Sequence, residues 1–358
     1  MRIAQVSPLY ESVPPRLYGG TERVVSYLTE ELVRQGHDVT LFASGDSLTS
    51  ARLRSFCGQS LRLTGSAAVG GLAHHLFLLE KVLQSADEFD IIHFHLDYLP
   101  FSLIRRYDLP AVTTLHGRID IPDLQPLFHE FDDMNLISIS NSQRCPIPSA
   151  GWLATVHHGL PLDLYRPSSR AGKYLAFLGR ISPEKRVDRA IAIAKRVGIP
   201  LRIAAKVDVA DHEYFETEIR GLLNDPLVDF IGEIGESEKG EFLRNAHALL
   251  FPIDWPEPFG LVMIEAMACG TPIIAFRGGS VVEIVEDGVN GFVVDSIDEA
   301  ADAVQRIPLI DRRLCRRVFE RRFSAQRMCW DYVSAYTRVA ECAKPVESEG
   351  DLGLSLTA

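Results

Sequence analysis

The sequence has only six cysteines in 358 residues, at positions 57, 145, 269, 315, 329 and 342, and no two of them form a C-x-x-C pair. That scatter argues against a zinc site and a disulfide framework, and for a reducing compartment, so a cytoplasmic location is expected. No apolar run reaches the ~20 residues that cross a bilayer. The opening stretch Met1-Arg2-Ile3-Ala4-Gln5-Val6 reads as a buried strand and lacks the layout of an export signal. A G-x-G-x-x-G turn is missing, so no dinucleotide cofactor is implied. The net charge of −11 argues against general nucleic-acid binding.

What is present is ordinary in bulk and patterned in detail. Hydrophobic residues make up 46% of the chain and charged residues 24%, as in a globular protein long enough for two full cores. Apolar strand-like runs at 2–7, 38–43, 91–94, 111–115 and 136–140 alternate with helix-like runs at 21–34, 70–85 and 100–107. A second alternation follows. Its strands are expected at 174–178, 201–204, 228–230, 248–251, 272–275 and 292–294, and its helices at 187–197, 211–223, 236–245, 261–268, 280–286 and 297–306. Continuous apolar strands separated by helices predict parallel sheets covered on both faces. Pro146, Pro148, Pro161 and Pro167 mark the passage between the halves. The expected division is a first domain over 1–165 and a second over 166–324. A last helix over 325–343 precedes a polar tail, 344–358, that reads as disordered. Two such halves place a ligand cleft between the carboxyl ends of their sheets.

The densest chemistry lies between Pro256 and Gly270. Glu257 is held between Pro256 and Pro258, and Glu265 lies on a helix expected to begin near Gly260 and end near Gly270. The amides of Phe259, Gly260 and Leu261 open that helix and can receive an anion. A loop carboxylate, a row of N–H donors and a helical carboxylate suit a ligand with phosphate at one end and hydroxyls at the other. A second segment, Gly179-Arg180-Ile181-Ser182-Pro183-Glu184-Lys185, follows a strand and offers a guanidinium fork and an ammonium for phosphate oxygens. Gly19 and Gly20 precede a helix whose expected cap is Thr21. His116 falls immediately after a strand, where cleft residues occur. His93, His95 and Asp97 share one strand face, a spacing compatible with metal binding, although no third ligand of suitable geometry is evident. Between Asp311 and Arg327 there are seven arginines. A basic amphipathic helix can bind an anionic membrane surface. A solvated helical face paired with Asp311 and Glu320 is the favoured reading.

The Glu257–Glu265 stretch resembles the E-x7-E motif of the retaining glycosyltransferases of sequence family 4. Phe259-Gly260-Leu261, the helix, Gly270-Thr271-Pro272 and the pair Gly278-Gly279 follow in the family's order. Arg180 and Lys185 resemble its G-R-x-x-x-x-K element. The resemblance implies a GT-B fold: two Rossmann-like, doubly wound parallel-sheet domains facing a central cleft, with the last helix crossing back to the first. It implies a nucleoside-diphosphate sugar of UDP or GDP type as donor, and an acceptor hydroxyl that the sequence does not identify. In that scheme Arg180 and Lys185 hold the diphosphate, and Glu265 accepts from the ribose hydroxyls. Glu257 contacts hydroxyls of the donor sugar, and His116 lies beside its anomeric carbon. Ile234 touches the base, and the Gly19-Gly20 loop lines the cleft. His158-Gly159 departs from the family, which usually carries Asn before that glycine.

A departing nucleoside diphosphate needs its charge stabilised by a metal or by fixed positive groups. The chain has no Asp-x-Asp pair. Arg180, Lys185 and the amides near Gly260 are therefore expected to act without metal, and no other cofactor is called for. Double displacement would need a carboxylate opposite the leaving group, and none is evident. A front-face substitution, with the departing phosphate helping to deprotonate the acceptor, is left standing. Two rival readings stay open: a sugar-nucleotide epimerase or phosphorylase on a related fold, and a non-catalytic sugar-binding module.

Overall fold

The computed structural model describes residues 1–17, 19–65, 70–170 and 172–342. The first sheet holds β1 (Arg2–Val6), β2 (Asp38–Phe42), β3 (Arg52–Arg54), β4 (Ile91–Phe94), β5 (Ala111–Thr114), β6 (Leu136–Ser138) and β7 (Trp152–Thr155). The second holds β8 (Tyr174–Arg180), β9 (Leu201–Lys206), β10 (Val228–Gly232), β11 (Ala246–Phe251), β12 (Ile273–Phe276) and β13 (Gly291–Val294). Their orders are β3-β2-β1-β4-β5-β6-β7 and β10-β9-β8-β11-β12-β13, and every pairing is parallel. Helices cover both faces, so strands such as Ile91–Phe94 and Ile273–Phe276 are buried along their length. In each sheet the winding direction reverses once, between β1 and β4 and between β8 and β11. Crevices for ligands open at the carboxyl ends of such reversals.

Two strands were not legible as apolar runs. β3 is a short edge strand, Arg-Leu-Arg, and β7 is only half-buried. The helix expected from Thr21 opens one residue earlier, as Gly20–Arg34, with Gly19 at its cap; Thr21 lies inside the first turn. The helix expected over 211–223 is broken into a 3-10 turn, a short α turn, a π turn (Phe215–Ile219) and a 3-10 turn that contains Gly221. Glycine is a poor helix-interior residue and favours such interruption.

The chain leaves the second sheet through helix Arg312–Arg322 and returns to the first as helix Ala325–Cys342. That last helix packs on Gly20–Arg34 and on β4 and β5, with Tyr332 and Tyr336 fully buried. Position 343 and the tail 344–358 lie outside the described residues.

The run of seven arginines is thus divided between two helices, and four of the seven turn inward. Arg312 is buried and donates to the carbonyls of Ser168, Ala246 and Arg244 and to Thr271 Oγ1, at 2.7–2.9 Å. Arg316 donates to the carbonyls of Leu162, Tyr165 and Ala268, Arg322 pairs with Glu286, and Arg327 holds the carbonyls of His157 and His158. Only Arg313, Arg317 and Arg321 are exposed. The segment mainly clamps irregular backbone between the two sheets; a solvated face accounts for less than half of its charge. Among the described residues no helix is long and apolar enough to cross a membrane.

Candidate active site

A cleft of about 800 Å³ lies between the two sheets, at the carboxyl ends of the reversals. His116, Gly19, Gly20, Arg180, Lys185, Ile234, Glu257, Phe259, Gly260, Leu261 and Glu265 all line it, although they are scattered from position 19 to position 265.

Glu257 sits on the loop after β11. Gly279 holds that loop from behind. It has φ +55°, and a Cβ there would lie 2.2 Å from the carbonyl oxygen of Glu257. Ser280 adds two hydrogen bonds, from its amide to Glu257 O (2.9 Å) and from its hydroxyl to Phe259 O (2.8 Å). The pair Gly278-Gly279 therefore lets a second backbone come close enough to fix the carboxylate's loop. Glu257 is 7% exposed, and its carboxylate accepts from Trp255 Nε1 at 2.9 Å and from Lys185 Nζ. The Lys185 ammonium also stands 4.9 Å from the Trp255 ring centroid, a cation–π contact.

Arg180 is the last residue of β8. Its guanidinium meets Glu184 at 2.5 Å, Asp211 at 3.2 Å and Asp208 at 3.9 Å. Both cations expected to receive phosphate thus already have carboxylate partners, and an arriving diphosphate must compete for them. On the next element, Gly260 turns the chain into helix Leu261–Ala268 with φ +78°; a Cβ there would lie 2.7 Å from Met263 Cε. The first amides of that helix have no intrahelical acceptor and border the cleft. Glu265, one turn in and 3% exposed, accepts from Lys239 Nζ at 3.0 Å. Lys239 is 3.5 Å from Glu236, which also takes the Tyr165 hydroxyl and the Arg23 guanidinium. Arg23 comes from the first sheet's helix, so this network spans the cleft.

The opposite wall is a group of imidazoles. His116 follows β5, stacks on His158 at 5.3 Å with 15° between the rings, and bonds His95 Nδ1 through its Nε2 at 2.8 Å. Burial pushes His116 down to about 3, and lowers His95 and His158 well below the usual imidazole value. All three are neutral at physiological pH. Both ring nitrogens of His93 and of His95 bond protein groups, so the spaced pair is a structural element. Among the described residues no group of three or more His, Cys, Asp or Glu is placed to hold a metal ion. Asp97, in the left-handed region at φ +50°, lines the cleft and is exposed. Desolvation raises its carboxyl to about 6, opposed in part by the backbone N–H of His116.

Sequence reasoning passed over Arg23, Lys239 and Trp255, which gain meaning only from their partners. It treated His158 as a departure, whereas the ring completes the imidazole wall and packs edge-on against Phe259, 4.7 Å away.

The paired parallel-sheet domains and their cleft define the GT-B fold of glycosyltransferases. Solved structures agree. A glycosyltransferase involved in avilamycin A biosynthesis superposes with TM-score 0.71 at 24% identity, covering 96% of this chain and 99% of its own. The Anabaena protein HepE, solved in complex with UDP and glucose, superposes with TM-score 0.72 at 19% identity, covering 94% and 100%. The family model for Glycosyltransferase Family 4 matches residues 18–199, and that for glycosyl transferases group 1 matches residues 167–320. The chain belongs to glycosyltransferase family 4. Among curated relatives, it is 32% identical over 205 residues to the D-inositol 3-phosphate glycosyltransferase of Mycolicibacterium smegmatis. That match covers 50% of this chain and 43% of the relative, so it spans less than half of the relative's length.

Proposed function

We propose that the protein moves a hexose-like sugar from a nucleoside diphosphate of UDP or GDP type to an acceptor hydroxyl, with retention of anomeric configuration and without a metal ion. The observation that carries this reading is the meeting of Lys185, Glu257 and Trp255 in one corner of the cleft, with Glu265 on the adjoining helix and His116 on the facing wall. The diphosphate would exchange for the carboxylate partners of Lys185 and Arg180 and bind the amides at the start of helix Leu261–Ala268. Glu257, released from Lys185, would accept from hydroxyls of the donor sugar. Glu265 would accept from the ribose, with Ile234 against the base. Arg180, Lys185 and the helix amides supply fixed positive charge where the leaving group becomes negative, which supports the metal-independent reading. The bond from the anomeric carbon to the β-phosphate oxygen breaks and its electron pair stays on phosphate. The acceptor oxygen bonds the same carbon from the same face, and its proton passes to the departing phosphate. The reading includes a cytoplasmic setting, in keeping with the scattered cysteines.

The test is binding and turnover with the full chain. UDP, GDP and their glucose and mannose conjugates are screened by thermal shift, since a ligand of the native state raises the melting temperature. Positive donors are then assayed for release of nucleoside diphosphate against acceptor panels, with and without EDTA. No shift with any nucleoside diphosphate, or loss of turnover on chelation, would overturn the corresponding part. An epimerase would convert the sugar nucleotide with no acceptor present, and a phosphorylase would require free phosphate.

A further inference from the structure

Behind His116 lies a continuous, buried chain of hydrogen bonds that ends on the crossover helix. Its polarity can be followed from the Thr114 end. Thr114 donates its single hydroxyl proton to Tyr332 at 3.2 Å, so it must accept from His93 Nε2, 2.7 Å away. A neutral imidazole with its proton on Nε2 has a lone pair on Nδ1. Tyr336 therefore donates to His93 Nδ1 at 2.7 Å and accepts from the Gln5 amide at 3.0 Å. With its NH2 turned to Tyr336, Gln5 faces His95 Nε2 with its carbonyl oxygen at 2.9 Å, and His95 donates there. His95 Nδ1 is then a lone pair, and the 2.8 Å contact with His116 requires a proton on His116 Nε2. Gln5, His93, Thr114, Tyr332 and Tyr336 are 0% exposed and His95 2%, so water does not compete for these protons. His116 Nδ1 is buried and has no hydrogen-bond partner among the described residues.

We propose that the crossover helix, acting through Tyr336, Gln5 and His95, holds His116 as its neutral Nε2–H tautomer, so that a ligand hydroxyl that displaces the groups now covering Nδ1 meets a lone pair there. His116 is then an acceptor only. A sugar must bring a donor group to that spot, and a fluorine or an ether oxygen there is refused. Gln5, His95 and Tyr336 are positioning residues. Between Thr114 and His116 each hydroxyl and imidazole has one proton to give and one neighbour to take it, and the Gln5 amide, with two protons on nitrogen and none on oxygen, sets the direction between Tyr336 and His95. The ligand half of this inference rests on the proposed donor site; the tautomer half does not.

The experiment is 15N NMR of the full chain labelled at histidine, with His116→Gln to assign the resonance. His116 is expected to show a protonated Nε2 and an unprotonated Nδ1. A protonated Nδ1 in the wild-type protein overturns the proposal. In Gln5→Leu and in Tyr336→Phe, His116 becomes a mixture of tautomers. Transfer from UDP-glucose then falls about 10-fold in kcat, the scale of one neutral hydrogen bond, while UDP affinity stays within about 2-fold. An unchanged single tautomer in both variants shows that the chain does not set it. UDP-glucose analogues carrying fluorine at one hydroxyl at a time test the acceptor role: one of them should lose transfer, and equal transfer by all would refute it. Failure of both UDP and GDP to bind would remove the ligand half, while the NMR measurement would still decide the tautomer.

Discussion

Arg23, on the first helix of the chain, is ion-paired with Glu236, which opens a helix of the second domain on the other side of the cleft. The arginine side chain is only 5% exposed and its other guanidinium nitrogen donates to the Leu17 carbonyl at 2.7 Å. Removing one partner of such a pair leaves the other charge poorly solvated. Arg23→Ala is expected to cost about 3 kcal/mol of stability and to widen the distribution of domain orientations. Melting temperature and small-angle scattering check both. Because Glu236 also holds Lys239 beside Glu265, KM for the donor should rise more than kcat falls.

Lys185 and Glu257 depend on each other in the same way. Lys185→Ala should reduce kcat/KM by about 10²–10³-fold, the usual effect of losing one fixed donor to a developing anion. Folding should survive, because Trp255 still donates to Glu257. Near-normal turnover with a folded protein would remove Lys185 from the phosphate site.

Asp97 gives a pH dependence of known sign. Its folded value is raised to about 6 from an ordinary value near 3.8. Between those values the folded state binds more protons than the unfolded one, so this group's contribution to stability falls as pH rises through the window. Asp97→Asn removes that loss. Because Asp97 is exposed, solvent reduces the effect, and the variant should melt slightly higher than the wild type at pH 7–8, with the difference closing toward pH 4. Equal melting temperatures across the range would show that the cleft solvates the carboxylate fully.

Arg312 has no carboxylate partner among the described residues; burial lowers its affinity for the proton, and three carbonyls and a threonine hydroxyl hold it. Arg312→Leu strands these acceptors, and several buried unsatisfied groups at ~1–3 kcal/mol each would threaten the fold. Arg312→Lys should be only partly stabilising, since an ammonium cannot reproduce the planar fork. Denaturant unfolding of the two variants measures the order: wild type, then Lys, then Leu.

The fold class could be read from the chain because parallel strands buried on both faces leave continuous apolar runs such as Ile91-Ile92 and Ile273-Ile274, and because the winding of α/β units is restricted. β3 and β7 escaped because edge and half-buried strands carry no such signature. Glu257, Glu265, Arg180 and Lys185 stood out through local residue strings that resemble family motifs. Their present partners did not: Lys239 looks like any helix cation until the fold brings it to Glu265, and the arginine run looks like a surface until the fold sets Arg312 and Arg316 on backbone carbonyls.

By itself the sequence determined the two α/β halves, the family and the segments that carry chemistry, since each is encoded in residues close together in the chain. The tertiary structure decided which charges neutralise one another across the cleft and which tautomer His116 adopts. Those depend on contacts such as Gln5 with Tyr336, 331 positions apart, and hydrogen-bond polarity passes through such contacts by geometry that no local pattern of residues records.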